Sequence, residues 1–133
     1  MREFHLQIAT PDGVEFDGPA ESLLIKCSEG DVEILAGHAD LVSALGIGRA
    51  RIKADGKSRT ASVSGGFISV SKDKVEVVAT TFEYADKIDA NRAEAAKDRA
   101  EAAMRDAKND EELERARLKL MRAINRIKVS ELK

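Results

Sequence analysis

Hydrophobic periodicity changes once along this chain, near residue 85, and the change divides it into two kinds of structure. Before that point, short runs alternate apolar and polar residues with period two. Phe4, Leu6 and Ile8 form one such run, Leu23, Ile25 and Cys27 a second, and Val75, Val77 and Ala79 a third. A period of two turns one face of a strand toward a core and the other toward water. Turn-forming groups punctuate the runs at Pro11-Asp12-Gly13, Asp17-Gly18-Pro19, Glu29-Gly30-Asp31, Asp55-Gly56, Gly65-Gly66 and Lys72-Asp73. Breaks at that density predict an all-β sandwich of about eight to ten short strands over residues 1–84. Asp55-Gly56 is a good hairpin turn, because both residues tolerate positive φ. It joins Ala50-Arg51-Ile52-Lys53 to Ser58-Arg59-Thr60-Ala61.

After residue 88 there is no Gly or Pro, and Ala, Glu, Lys, Arg and Leu dominate. Asp89 stands where a helix N-cap belongs, ahead of Ala93, Ala96, Ala100, Ala103 and Ala107 at spacings of 3 and 4. Asn109, with Glu112 three residues on, resembles a capping box that opens a second helix. There Leu113, Ala116, Leu120, Ala123 and Ile127 repeat the spacing. The fold class is therefore α+β: a sandwich followed by an antiparallel two-helix hairpin over residues 85–133. An alanine seam lets two backbones approach closely but buries little area. Periodicity leaves open whether such a hairpin opens or stays packed.

With 133 residues and 43 % apolar residues, the chain can bury a core of one domain plus an appendage. Aromatics supply only 4 %, so branched aliphatics and alanine must fill it. A net charge of −2 argues against a general nucleic-acid binder. The sign is uneven. Residues 1–88 hold 10 basic and 14 acidic side chains, net −4; residues 89–133 hold 12 and 10, net +2. The excess lies in the second helix, at Arg115, Arg117, Lys119, Arg122, Arg126, Lys128 and Lys133. The lone Cys27 reads as a small buried hydrophobe. No signal-like or membrane-spanning apolar run is present, which places the chain in the cytoplasm or on a cytoplasmic membrane face.

The sequence holds no catalytic set. There is no phosphate-binding loop motif, no metal-ligand spacing around His5 or His38, and no Cys–His pair. Ser64-Gly65-Gly66-Phe67 does not open a helix and reads as a tight strand turn. One constellation stands out. Arg92 and Arg99 share a face of the first helix, and Arg122 and Arg126 share a face of the second. An antiparallel hairpin brings Arg92 toward Arg122 and Arg126. Converging guanidinium groups fit an anion with several oxygens. Glu83 and Asp89 stand near enough in sequence to accept from an amino group such as that of adenine. The alternative is that these arginines are solvated or paired with Asp98, Glu94 and Glu101.

Several segments together resemble the epsilon subunit of bacterial F-type ATP synthase, across essentially the whole chain. Thr10-Pro11-Asp12-Gly13 resembles that family's opening turn, and Glu33–Val42 resembles its G-[IV]-[LM]-x-G-H-x-P-L-[VL] segment. Ser64-Gly65-Gly66-Phe67 and Asn125-Arg126 fall in two further family segments. Asp40 stands where the family usually has Pro, and Glu33 where Gly is common. Ile88-Asp89-Ala90-Asn91-Arg92-Ala93 matches an I-D-x-x-R-A motif through which some members bind ATP.

The resemblance implies an ATP site of Glu83, Ile88, Asp89, Arg92, Ala93, Arg99, Arg122 and Arg126. ATP there is a regulatory ligand, with or without Mg2+, and no catalytic residue, catalytic cofactor or structural metal is implied. It implies a non-enzymatic rotor subunit, peripheral on the cytoplasmic face of a bacterial membrane, docked on the gamma subunit and the c-ring. The hairpin would permit turnover when folded. When extended, it would inhibit through a docking face of Arg115, Arg122 and Arg126 on the alpha/beta head. Two alternatives stand beside this: the same subunit as a purely mechanical brake, and an unrelated sandwich and coiled-coil adaptor. A small ATP-hydrolysing enzyme is disfavoured, since no metal carboxylate pair or general base stands near the arginines.

Overall fold

The computed structural model describes residues 2–132; Lys133, part of the basic excess noted above, lies outside them. Seven strands run in chain order: β1 Phe4–Thr10, β2 Gly13–Ala20, β3 Ser22–Cys27, β4 Gly30–Leu35, β5 Leu41–Ala54, β6 Lys57–Ser71 and β7 Lys74–Tyr84. They hydrogen-bond in the order β2-β1-β7-β6-β5-β3-β4. All neighbours are antiparallel except β1 and β7. The sheet folds over, because β5 and β6 are long enough, at 14 and 15 residues, to serve both layers. Leu6, Ile8, Leu23, Ile25, Ile34, Val63, Ile68, Val75 and Val77 meet between the layers, each buried almost completely. The alternating residues expected to face inward do so, and Cys27 is a free, buried thiol among them.

The sandwich and hairpin expected from the sequence are both present, but the strands among the described residues number seven rather than eight to ten. Two expected breaks do not break the chain. Gly65 and Gly66 take φ of +73° and +101° inside β6, which continues through them, so they bend the strand between layers. Only glycine fits there: a Cβ on Gly66 would stand 1.9 Å from the carbonyl oxygen of Val78. Asp17-Gly18-Pro19 likewise lies within β2, where proline is tolerated because β2 is an edge strand. The true tight turns, Asp55-Gly56 and Lys72-Asp73, have positive φ at both central residues, as the hairpin twist requires.

A 3-10 turn, Ala85–Lys87, leads from β7 into α1, Ala90–Arg105, followed by α2, Asp110–Ser130. Both caps form as expected. The Asp89 carboxylate accepts from the Arg92 backbone N–H at 3.1 Å, and the Asn109 side chain accepts from that of Glu112 at 2.8 Å. Glu112 returns the contact one residue earlier than a standard capping box, accepting from the Lys108 N–H at 2.9 Å. The helices meet on Ala93, Ala100, Ala116 and Ala123, all buried. Ala85, Ile88 and Val129 form a small second core where the end of α2 packs on the start of the hairpin.

Candidate functional site

The inner end of α2 is fastened to the sandwich by polar side chains. Asn125 donates from Nδ2 to the Gly48 carbonyl at 2.7 Å and to Ser62 Oγ at 3.0 Å. Arg122 donates from Nε to Ser64 Oγ at 3.1 Å. Ser62 and Ser64 alternate along β6 with Ala61 and Val63, and all four are buried. The apolar pair faces the core and the serines face the helix, so this stretch of β6 is covered on both sides. One helical turn on from Arg122, Arg126 donates from Nε to Glu83 Oε1 at 3.1 Å. That pair is about one-third exposed, which leaves it a modest interaction.

These contacts frame a groove of about 440 Å³ between sandwich and hairpin. Arg92 of α1, Arg122 and Arg126 of α2 and Glu83 of β7 line it, with Thr10 and Asp12 of the β1–β2 turn opposite. The structure thus brings Arg92 to the two second-helix arginines. Neither Arg92 nor Arg99 forms a salt bridge among the described residues, so the pairing with Asp98, Glu94 or Glu101 is not realised. Chemically, the groove offers forked cations for phosphate oxygens, and carboxylates and hydroxyls for amino or hydroxyl donors.

The other candidate residues fall in different places. Asp89 caps α1, with one carboxylate oxygen engaged by the backbone. Ile88 and Ala93 are buried as packing residues, at 6 % and 0 % exposure, so their side chains offer a ligand little surface. Arg99 lines a second groove farther along the hairpin, which it shares with Arg122 and Arg126. Arg115 is exposed and lies 4.0 Å from Glu111, one turn back on α2. Sequence reasoning missed Ser62, and it noted Thr10, Asp12, Ser64 and Asn125 only in turns or family segments, not as site residues. The signal for the serines was present: two hydroxyls at period two in a strand whose alternate positions are apolar.

No group of three or more His, Cys, Asp or Glu side chains is placed to hold a metal among the described residues. Tyr84 closes the sandwich below the hairpin. Burial raises its phenol pKa above the ordinary 10.0, while Arg59, 3.6 Å over the ring, pulls the other way. Its hydroxyl donates to the Glu15 carbonyl at 3.0 Å.

The chain joins a β-sandwich to a helical hairpin, and two family models match these two parts in turn. Residues 3–85 match the family described as "ATP synthase, Delta/Epsilon chain, beta-sandwich domain", and residues 86–131 match "ATP synthase, Delta/Epsilon chain, long alpha-helix domain". The sequence is 43 % identical to the ATP synthase epsilon chain of Bacillus cytotoxicus over 100 % of both chains. It is 42 % identical to that of Bacillus velezensis over 98 % of both. The chain belongs to the ATP synthase epsilon chain family. The fold is shared with a chain of the Euglena gracilis mitochondrial ATP synthase, at TM-score 0.83 and 21 % identity, over 98 % of this chain and 82 % of that one. A chain of the Tetrahymena thermophila enzyme matches at TM-score 0.72 and 15 % identity, over 97 % of both.

Proposed function

We propose that this chain is a non-catalytic central-stalk subunit whose hairpin binds ATP when folded and restrains ATP hydrolysis when extended. The sandwich docks on the gamma subunit and the c-ring at the cytoplasmic face of the membrane. The relatives' names support the assembly, and the solved Euglena and Tetrahymena complexes are described as F1/c-ring and central stalk/c-ring. No helix among the described residues is long and apolar enough to cross a membrane, which fits a peripheral place. Phe67 and Val78, paired across β6 and β7 and roughly half exposed, give the outer sandwich face an apolar patch suited to a protein partner.

One observation carries the ATP reading. Arg92 comes from α1, Arg122 and Arg126 come from α2, and Glu83 comes from the sandwich, yet all four line one groove. That groove exists only while the hairpin is folded back. A ligand that needs all four groups binds the folded state alone and shifts the population toward it. When ATP falls, the hairpin opens and releases Arg122 and Arg126 from Ser64 and Glu83. With Arg115 they then face the acidic surface of the alpha/beta head. The two uses of the same arginines exclude each other.

A second reading has its own observation. Arg122 and Arg126 already have protein partners, so the hairpin can latch without nucleotide and act as a mechanical brake. Calorimetric titration of ATP into the chain and into Arg92→Ala, with ADP as control and with Mg2+ present or chelated, separates the two. Saturable ATP binding lost in the variant is the expected result. No binding at millimolar ATP would leave the brake.

A further inference from the structure

The β6–β7 ladder stops before β6 does. It keeps one register from Ser71 opposite Lys74 to Ala61 opposite Tyr84. Residues 57–60 of β6 go on pairing with β5, and no strand lies on their other side among the described residues. A pocket of about 190 Å³ opens there, lined by Ser58, Arg59, Thr60, Ala85, Asp86 and Leu132. The backbone groups of β6 that face it form a short free strand edge.

The chain leaves this edge through the 3-10 turn Ala85–Lys87. Tyr84 before the turn, and Ile88 and Asp89 after it, are already extended, with ψ of 144°, 126° and 102°. The turn alone therefore interrupts a continuous strand. One backbone hydrogen bond closes it, from the Ile88 N–H to the Ala85 carbonyl at 3.3 Å. Ala85 and Ile88 are packed by Val129 of α2. Continuing the register would set Ala85 opposite Thr60, Asp86 opposite Arg59 and Lys87 opposite Ser58. Arg59 already meets both of the neighbours that this longer ladder would give it. Its Nη2 lies 3.9 Å from Oδ1 of Asp86, the directly opposite residue. Its guanidinium carbon lies 3.6 Å from the ring centre of Tyr84, the diagonal one.

We propose that when the hairpin swings out, Ala85–Lys87 unwinds and pairs with the free edge of β6, extending β7 into the linker. This rests on the opening proposed above and adds its path. In the folded state Val129 covers the turn, and Ala, Asp and Lys are poor strand residues, so the turn persists. Opening strips Val129 from Ala85 and Ile88, and the β6 edge then supplies backbone partners. Each residue gains about 1.3 Å of rise, so the start of α1 moves about 4 Å along the β7 direction. A paired linker also restricts the directions open to the freed hairpin, so the hairpin is aimed rather than loosely tethered.

The test is NMR of the full chain, as wild type and as an opened form carrying Asn125→Ala and Val129→Asp. The first change removes two donations to the sandwich, and the second puts a charge into the small core at the hairpin root. Circular dichroism checks that both helices and the sandwich persist. In the opened form, cross-strand contacts should join Thr60 to Ala85 and Ser58 to Lys87, with slowed amide exchange in both segments. The wild type should show neither contact. Adding Arg59→Gln to the opened form should cut the protection of the linker amides by up to about fivefold, the worth of one cross-strand pair. Loss of hairpin–sandwich contacts with a linker that stays unpaired overturns the extension and leaves the opening. Hairpin–sandwich contacts that survive both substitutions overturn the two together, since the linker then has no open state to extend in. The same cross-strand contacts in wild type overturn the switch, because the ladder would be permanent.

Discussion

The sandwich and the hairpin are held by different amounts of the same force. In the sandwich, branched side chains such as Leu6, Ile25 and Val63 are wholly buried, and each contributes roughly 1.5–3 kcal/mol. In the hairpin the seam is Ala93, Ala100, Ala116 and Ala123, and an alanine methyl contributes about 0.8 kcal/mol. Apart from Val129, the larger apolar residues of α2 are only partly covered, with Leu113 and Met121 40 % and 41 % exposed. The hairpin is attached to the sandwich by a few side-chain hydrogen bonds, and the Ala85, Ile88 and Val129 cluster holds the end of α2 to the start of the hairpin. One region is a fixed platform. The other has strongly helical segments and a weaker dock, which suits the proposed opening without melting.

The contrast predicts a graded series. Leu6→Ala, in the sandwich, should lower global stability by about 2–5 kcal/mol in denaturant titration and take the platform down with it. Ala100→Leu overfills the seam, with a cost of about 1–3 kcal/mol. It should raise hydrogen exchange in α1 and α2 while the sandwich amides stay protected; equal loosening of both would break the comparison. Asn125→Ala removes two donations to the sandwich and should favour the undocked hairpin by about 1 kcal/mol, read by the same exchange. The smallest effect lies in the alkaline titration of Tyr84, the only tyrosine and so a clean optical probe. Its pKa is raised on folding, chiefly by burial, so its contribution is complete below pH 10.0 and is lost as pH rises through the folded value. Phenolate absorbance should appear later in the folded chain than in denaturant.

Much of this contrast was legible in the residues. The period-two runs gave the buried faces, and Asp89 and Asn109 gave both helix starts. The glycines misled because Gly65-Gly66 looks the same in sequence whether it ends a strand or bends one; only the approach of Val78 decides. The arginines could be listed from helical spacing, but their division into two grooves could not. Arg92 and Arg99 are two turns apart on one face, yet only Arg92 reaches the sandwich side. The spacing of Ser62 and Ser64 was visible, but their burial was not, because a buried serine in a strand looks like an exposed one until a helix covers it.

The most direct test is amide hydrogen exchange of the free chain with and without saturating ATP. The account predicts that the hairpin amides exchange faster than those of the sandwich in the free chain. ATP should slow the hairpin amides selectively and leave the sandwich unchanged. Hairpin protection equal to that of the sandwich, or no response of α1 and α2 to bound ATP, would contradict it.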